Sequence, residues 1–430
     1  MRILFLSDNY PPEVNAPASR LSEHAKYWIK GGAKVNVVTT APNFPEGVLF
    51  EGYKNAWYSR EDMHGVDLVR VKTYITKNEG FVKRSLDYIS FMFSGFIAGL
   101  FQKKPDVLVA TSPQFFNAIG GWALAKVRRV PYVFEVRDLW PASIAALGAV
   151  KYPLILKWLE KLELFLYRNA DAVITVTEAF KEDLISRGID GDKVHVVLNG
   201  VDLSRYSKAE EKDPELAKAH GLEGKFVAGY IGTHGMAHGL EKIIEAAELL
   251  REQPDVCILL VGTGSEKEKI EAMIAERGLD NVVSLGRFPK EDMNRIWSLC
   301  DVSLIHLRNL PLFETVIPSK LFESMGVGIP VLMGLPKGEA TGIVEASDCG
   351  ELCEPENPKS IADTLRHMYE DKARYQQLVD NCLAASKEYS REALANKMAA
   401  ILRSTAGLQA EPVAVSASVT SEAPAEKTMS

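Results

Sequence analysis

Short apolar runs alternate with helix-period segments along almost the whole chain, and the pattern restarts once. Strands are expected at Ile3–Leu6, Val35–Thr39, Leu68–Val71, Val107–Ala110, Tyr132–Glu135, Ala172–Val176 and Val194–Leu198. Helical segments lie between most of them, as at Ala18–Lys30 and Pro153–Arg168. After the breaker-rich stretch "LNGVDLSRYSKAEEKDPE" the runs resume as "FVAGYIG", "CILLVG", "VVSLG", "VSLIHL" and "PVLMG". Strands that read as continuous apolar runs are buried on both faces, which implies parallel sheets covered by helices. At 430 residues the chain exceeds one ordinary core, so the restart implies two doubly wound α/β domains. The expected bounds are 1–203 and 204–385, then a helix over 386–403 able to pack back on the first domain. From 404 to 430 bulky apolar residues are scarce and a disordered tail is expected. Two such domains facing each other enclose a cleft, and ligands of such sheets gather at the carboxyl ends of the strands.

Composition narrows the function classes. Hydrophobic residues make up 47% and charged residues 25%, as in soluble globular proteins. The five cysteines (Cys257, Cys300, Cys349, Cys353 and Cys382) are odd in number and complete no zinc pattern, so free thiols in a reducing cytoplasm are expected. The opening "MRILFLSDNYPP" reaches Asp8 and two prolines too soon for a signal peptide and reads as a first buried strand. No apolar stretch reaches the roughly twenty residues that span a bilayer. Residues 1–200 carry 25 Lys and Arg against 21 Asp and Glu, whereas the remainder carries 25 against 36. A mildly basic first half beside an acidic second half hints at an anionic partner for the first. Nucleic acid is not expected.

The stretch "ETVIPSKLFESMGVGIP" carries the sharpest chemical signal. Pro318, Ser319 and Lys320 open a short apolar helix and Glu323 lies about one turn inside it. Uncapped N–H groups at a helix start make an anion site. A lysine there runs against the helix dipole unless an external anion sits between them. Glu323 can present two oxygens to a vicinal diol, as a ribose offers. Phosphate plus ribose points to a nucleotide; an ordinary exposed Lys and Glu at a helix start is the plainer alternative.

"IPSKLFESMGVGIPVL" resembles the helix-start motif of retaining GT-B glycosyltransferases of family 4, and the resemblance runs over nearly the whole chain except the tail. It implies two facing Rossmann-like domains with an interdomain cleft. It implies Glu323 as ribose ligand, with Pro318, Ser319, Lys320 and Leu321 opening the diphosphate site. The family usually has a second glutamate eight positions before the first; Thr315 stands there, with Glu314 adjacent as the candidate. "YIGTHGMAHGLEKIIEAA" is similar to the family's first strand–loop–helix of the second domain, which implies donor contacts from Gly232, Thr233, His234, His238 and Gly239. Many members carry Arg and Lys in this loop. Their replacement by histidines makes Lys320 and Arg308 the alternative cations. "SLGRFPKEDM" resembles the segment along the base, with Arg287 and Phe288 nearest it. "FEVRDLWPASIAAL" looks like a cleft loop in which many members place a histidine. Arg137 and Asp138 stand there and, with Lys320 and Glu314, are the catalytic candidates. In "NYPPEVNAPASR" the loop with Glu13, Asn15 and Ala16 is expected to overhang the cleft.

The resemblance further implies sugar transfer from a UDP-sugar with retention, without a metal or other cofactor. Among family members the chain looks most like N-acetyl-fucosamine-type transferases of O-antigen, capsule or exopolysaccharide assembly. Their acceptors are polyprenyl-diphosphate-linked saccharides. The run Tyr88–Phe101, bracketed by Lys83, Arg84, Lys103 and Lys104, is either a buried core helix or an interfacial one. The interfacial reading places the protein peripherally on the inner face of the cytoplasmic membrane. Asp190-Gly191-Asp192 imitates a metal clamp but lies in a polar turn. A UDP-sugar 2-epimerase of the same architecture and a silent nucleotide-sugar-binding subunit are the alternatives.

Overall fold

The computed structural model describes residues 1–44, 46–76, 81–112, 115–139, 153–289 and 292–409. The first unit contains β1 (Arg2–Leu6), α1 (Ala16–Lys30), β2 (Lys34–Thr40), β3 (Tyr58–Met63), β4 (Val66–Val71), α2 (Phe81–Leu100), β5 (Val107–Thr111), α3 (Phe115–Arg128), β6 (Tyr132–Val136), α4 (Pro153–Asn169), β7 (Ala172–Thr175), α5 (Glu178–Ser186) and β8 (Val194–Val196). The second contains α6 (Pro214–Ala219), β9 (Phe226–Ile231), α7 (Leu240–Leu249), β10 (Val256–Val261), α8 (Lys267–Arg277), β11 (Val282–Leu285), α9 (Met293–Ser298), β12 (Val302–His306), α10 (Ser319–Val327), β13 (Val331–Gly334), α11 (Glu339–Ser347), β14 (Gly350–Leu352), α12 (Pro358–Glu370) and α13 (Lys372–Glu388). The helix α14 (Arg391–Thr405) follows.

The first sheet has the order β3-β4-β2-β1-β5-β6-β7-β8 and the second β11-β10-β9-β12-β13-β14. Among the described residues every strand pairing is parallel except the β3–β4 hairpin, in which Tyr58 faces Val71 and Met63 faces Val66. That hairpin escapes a search for apolar alternation because β3 is a polar, solvent-facing edge. Its turn residues His64 and Gly65 both have positive φ (55° and 83°), which suits a tight hairpin turn.

Strand alternation assigns the two faces of the first sheet. Leu4 and Leu6 pack with α2, α3, α4 and α5. Ile3 and Phe5 turn the other way, against Leu21 and Trp28 of α1 and Leu394, Met398 and Leu402 of α14. The last helix thus returns to the first domain, where the Trp28 indole donates to the Ala395 carbonyl at 2.8 Å. It extends to Thr405, two residues past its expected end, and the rest of the expected tail, residues 410–430, lies outside the described ones.

The chain crosses between the units twice, side by side. Val201 N–H donates to the Tyr389 carbonyl at 3.0 Å and Arg391 N–H to the Val201 carbonyl at 2.8 Å. Gly200 permits this approach, since a Cβ there would meet the Tyr389 carbonyl oxygen at 2.1 Å. A second link joins the Glu339 carboxylate, at the start of α11, to the N–H of Ala179 in α5.

Candidate functional site

In the second sheet the strand order reverses between β9 and β12, and the loops leaving these strands enclose the crevice where such sheets take ligands. The loop after β9 runs through Gly232, Thr233, His234 and His238 to Gly239, which opens α7. Lys320, from the start of α10, reaches this loop. Its Nζ lies 3.8 Å from the centroid of the Tyr230 ring, a cation–π contact. Gly232, at φ 154°, lies directly against it, and a Cβ at that position would be 2.4 Å from Lys320 Cε. Burial pushes the Lys320 ammonium down to about 8, while the Glu323 carboxylate pulls the other way. The cation is therefore held in place without a full counter-charge.

The start of α10 lies against this loop through Lys320. Pro318 occupies the N-cap position and provides no side-chain cap. Leu321 N–H turns back to the Pro318 carbonyl at 3.1 Å and its side chain is buried, so Leu321 contributes packing rather than a free donor. The amides of Ser319 and Lys320, in the first turn, have no acceptor within the helix. Ser319 Oγ lies 3.4 Å from Glu323 Oε1. Glu323 acts electrostatically on both Tyr206 and Arg391, which places it on the side of α10 nearest the domain junction.

The histidines do not replace the cations of the loop. His238 is pushed down to about 4, first by burial and then by Lys320. His234 is lowered by burial, Lys267 and Lys320. Both rings are neutral near pH 7, and His234 is fully buried with neither ring nitrogen hydrogen-bonded among the described residues. Thr233 is exposed, and its carbonyl accepts from the Tyr230 hydroxyl at 2.7 Å. Arg308, the other expected cation, is already engaged. It contacts Glu241 at 2.6 Å and Glu356 at 3.1 Å, and its Nε donates to the Met236 carbonyl at 2.6 Å. It braces the loop from outside. Beneath it His306 donates from Nδ1 to the His238 carbonyl at 2.6 Å and accepts at Nε2 from Glu356 N–H at 2.9 Å. That pairing fixes a neutral tautomer. Arg287 is exposed on the loop after β11, and Phe288 is half-buried beside it.

On the opposite wall Arg137 and Asp138 follow β6, and both backbone N–H groups donate to Ser112 Oγ, at 2.7 and 3.2 Å. Burial and the neighbouring Arg20 and Arg391 lower the Arg137 guanidinium to about 10, against the pull of Glu135. No carboxylate among the described residues lies within ion-pair distance of Arg137. Arg20 is committed: it binds the buried Glu135 carboxylate at 3.0 Å, the carbonyls of Val197 and Leu198 at 2.8 and 2.7 Å, and Asn199 Oδ1 at 3.1 Å. Neither Arg20 nor Tyr230 stands out in the sequence, since a helix arginine and a strand tyrosine look ordinary there.

The loop after β1 differs from expectation. Glu13 is 2% exposed and accepts from the amides of Asn43 and Phe44 at 2.8 and 2.9 Å and from Asn9 at 2.9 Å. Its carboxylate is thus spent on bracing this loop against Asn43 and Phe44. Asn15 caps α1 by accepting from Ala18 N–H at 3.0 Å, and Ala16 is the exposed first residue of that helix. Glu314 and Thr315 are exposed on the loop before α10, where the Glu314 carbonyl accepts Glu339 N–H at 2.9 Å. Asp190 accepts from Asp192 N–H at 3.1 Å and so caps its own turn.

Residues 212–383 match the family model for glycosyl transferases group 1, and residues 18–205 match that for glycosyltransferase family 4. The chain is 28% identical over 365 residues to a putative colanic acid biosynthesis glycosyl transferase, WcaI, of Escherichia coli K12, covering 82% of this chain and 86% of that one. Among solved structures it resembles HepE of Anabaena in complex with UDP, with TM-score 0.67 and 18% identity over 94% of this chain and 100% of that chain. The same protein in complex with UDP-glucose superposes with TM-score 0.63 and 18% identity over 94% and 100%. With a group 1 domain and a family 4 domain set on two facing Rossmann-like units, the chain is a GT-B glycosyltransferase.

Proposed function

We propose that the enzyme transfers a sugar, an N-acetylated hexosamine or deoxyhexosamine, from a UDP donor to a lipid-linked saccharide acceptor, retaining the anomeric configuration, in bacterial surface-polysaccharide assembly. The observation that carries the donor half is the Lys320 ammonium, held over Tyr230 beside an uncapped helix start. Departure of UDP builds negative charge on the β-phosphate, and fixed amides plus a preplaced cation stabilise it most where water is excluded. The Ser319 and Lys320 amides and the Lys320 ammonium supply that environment without rearrangement. Glu323 takes the ribose hydroxyls, and Arg287 and Phe288 flank the base. Arg137 offers a second positive charge from the opposite wall to the phosphates or the donor sugar once the cleft closes. The leaving phosphate oxygen then takes the acceptor proton on the face from which it departs, giving retention. The HepE complexes with UDP and UDP-glucose support a UDP-sugar donor, and the colanic acid relative supports polysaccharide biosynthesis. The acceptor is expected at an anionic membrane face, reached through the basic ends of α2 at Lys83, Arg84, Lys103 and Lys104.

The test is UDP release from candidate UDP-sugars with and without a polyprenyl-diphosphate saccharide, with the product's anomeric configuration read by NMR. Acceptor-dependent release with a retained linkage supports the reading. Tight UDP binding without turnover, or interconversion of the free donor, would replace it with the silent-subunit or the epimerase reading.

A further inference from the structure

The outer face of the helical layer formed by α2, α3 and α4 is apolar where solvent would favour polar side chains. On α2, Phe93 is 59% exposed and Ile97 54%, and Phe101, just past its end, is 80% exposed. These follow one another at four-residue steps, the spacing of one helix face. Phe91 and Ala98 of the same helix are buried in the core, so α2 presents apolar residues in both directions. On α4, Leu154 is 81% exposed, Trp158 64% and Phe165 39%, again at helical spacing. The two stripes are bridged by α3, which packs closely on α2 through Gly120 and touches α4 where the Trp122 and Phe165 rings meet edge-on at 5.1 Å. Exposed lysines rim the patch: Lys103 and Lys104 after α2, Lys157 and Lys161 between the apolar positions of α4. Glu160, the exposed acid of α4, is turned towards Arg187 at 3.7 Å. No helix among the described residues is long and apolar enough to cross a membrane.

We infer that α2 and α4 together form a two-armed platform that lies on an anionic bilayer, with Trp158 and Phe93 seated among the lipid chains and the lysines among the headgroups. The lysine rim selects the occupant. An apolar stripe flanked by cations is complementary to acidic headgroups over acyl chains, whereas a second copy of this face would bring the lysines against each other. The α4 arm is the new element. It deepens the membrane contact proposed above for α2 and would widen the footprint across the whole helical layer, setting the orientation of the domain on the membrane rather than its attachment alone.

The experiment uses the full chain and vesicles of phosphatidylcholine with or without about one third phosphatidylglycerol. Sedimentation with the anionic vesicles is expected, weakened by salt. Each lysine removed near the surface should cost about fivefold in partitioning, so Lys157→Gln with Lys161→Gln should lose about 25-fold. Brominated lipid should quench tryptophan emission, and Trp158→Phe should remove most of that quenching. UDP affinity should be unchanged in all these variants, which separates them from a failed donor site. If Lys103→Gln with Lys104→Gln weakens binding while the α4 variants do not, the second arm is wrong and the α2 contact stands. If no variant or vesicle composition changes sedimentation, both are wrong. A dimer abolished by Trp158→Ser would assign the face to a second copy instead.

Discussion

Lys320 gives the most direct test of the donor site. Its ordinary value is near 10.4, and burial brings it to about 8 in the ligand-free protein. A diphosphate bound beside it stabilises the ammonium, so the complex holds this proton more tightly than the free enzyme does. Binding above pH 8 therefore takes up a proton, and affinity must fall as pH rises. Below pH 8 the lysine is already charged and affinity should be flat. With a free value of about 8, the dissociation constant for UDP should rise about eightfold between pH 7.5 and 9.0. Calorimetry in two buffers of different ionisation enthalpy reads both the affinity and the proton uptake. Lys320→Met should lose roughly 10- to 100-fold at pH 7.5, in line with one charge-assisted contact, and should abolish the slope. If wild-type affinity is unchanged to pH 9.0, or if Lys320→Met keeps the same slope, the ammonium does not face the diphosphate and the assignment is refuted.

The same lysine should oppose the stability of the empty protein. Its folded value lies below the unfolded one, so whatever stability the group contributes is present above pH 10 and is lost as pH falls through about 8. Lys320→Met should accordingly melt at or above wild type at pH 7 without UDP, and below it with saturating UDP. Gly232→Ala, with its Cβ 2.4 Å from Lys320 Cε, should displace the ammonium and weaken UDP binding nearly as much as Lys320→Met. Arg20→Met strands the buried Glu135 carboxylate and should cost about 3–5 kcal/mol, a melting-point loss of roughly 10 °C. Adding Glu135→Gln should restore part of it, and no restoration would mean that Arg20 acts mainly through its bonds to Val197 and Leu198. Glu323→Ala should weaken UDP more than uracil, since only the nucleotide offers a ribose; equal losses would remove Glu323 from the ribose.

Much of the architecture was legible because buried parallel strands are written as unbroken apolar runs, and the runs from Val107 and Cys257 lie in strands buried at every position. The polar edge strand β3 was not, since nothing apolar marks it. At the site, the helix start at Pro318–Lys320 could be read because a lysine there conflicts with the helix dipole. What Lys320 rests on could not. Tyr230 lies in a strand some ninety residues away, and only the sheet order brings its ring under the ammonium. His238 and Arg308 differ from expectation for a shared reason: a charge in sequence says nothing about burial or about carboxylates recruited from elsewhere. His238 loses its proton to burial and to Lys320, and Arg308 is occupied by Glu241 and Glu356. The same holds for Glu13, which is enclosed by the amides of Asn43 and Phe44.

The return of α14 to the first domain has a consequence for how the protein is made. Leu394, Met398 and Leu402 complete the core beneath Ile3, Phe5 and Trp28, yet they leave the ribosome almost four hundred residues after the strand they cover. The second unit, by contrast, is contiguous from α6 to α13 and has every strand it needs by the time α13 emerges. The order of completion should therefore run against the order of synthesis. The nucleotide-sugar half can close during translation, while the first half waits with one face of its sheet uncovered until α14 is released.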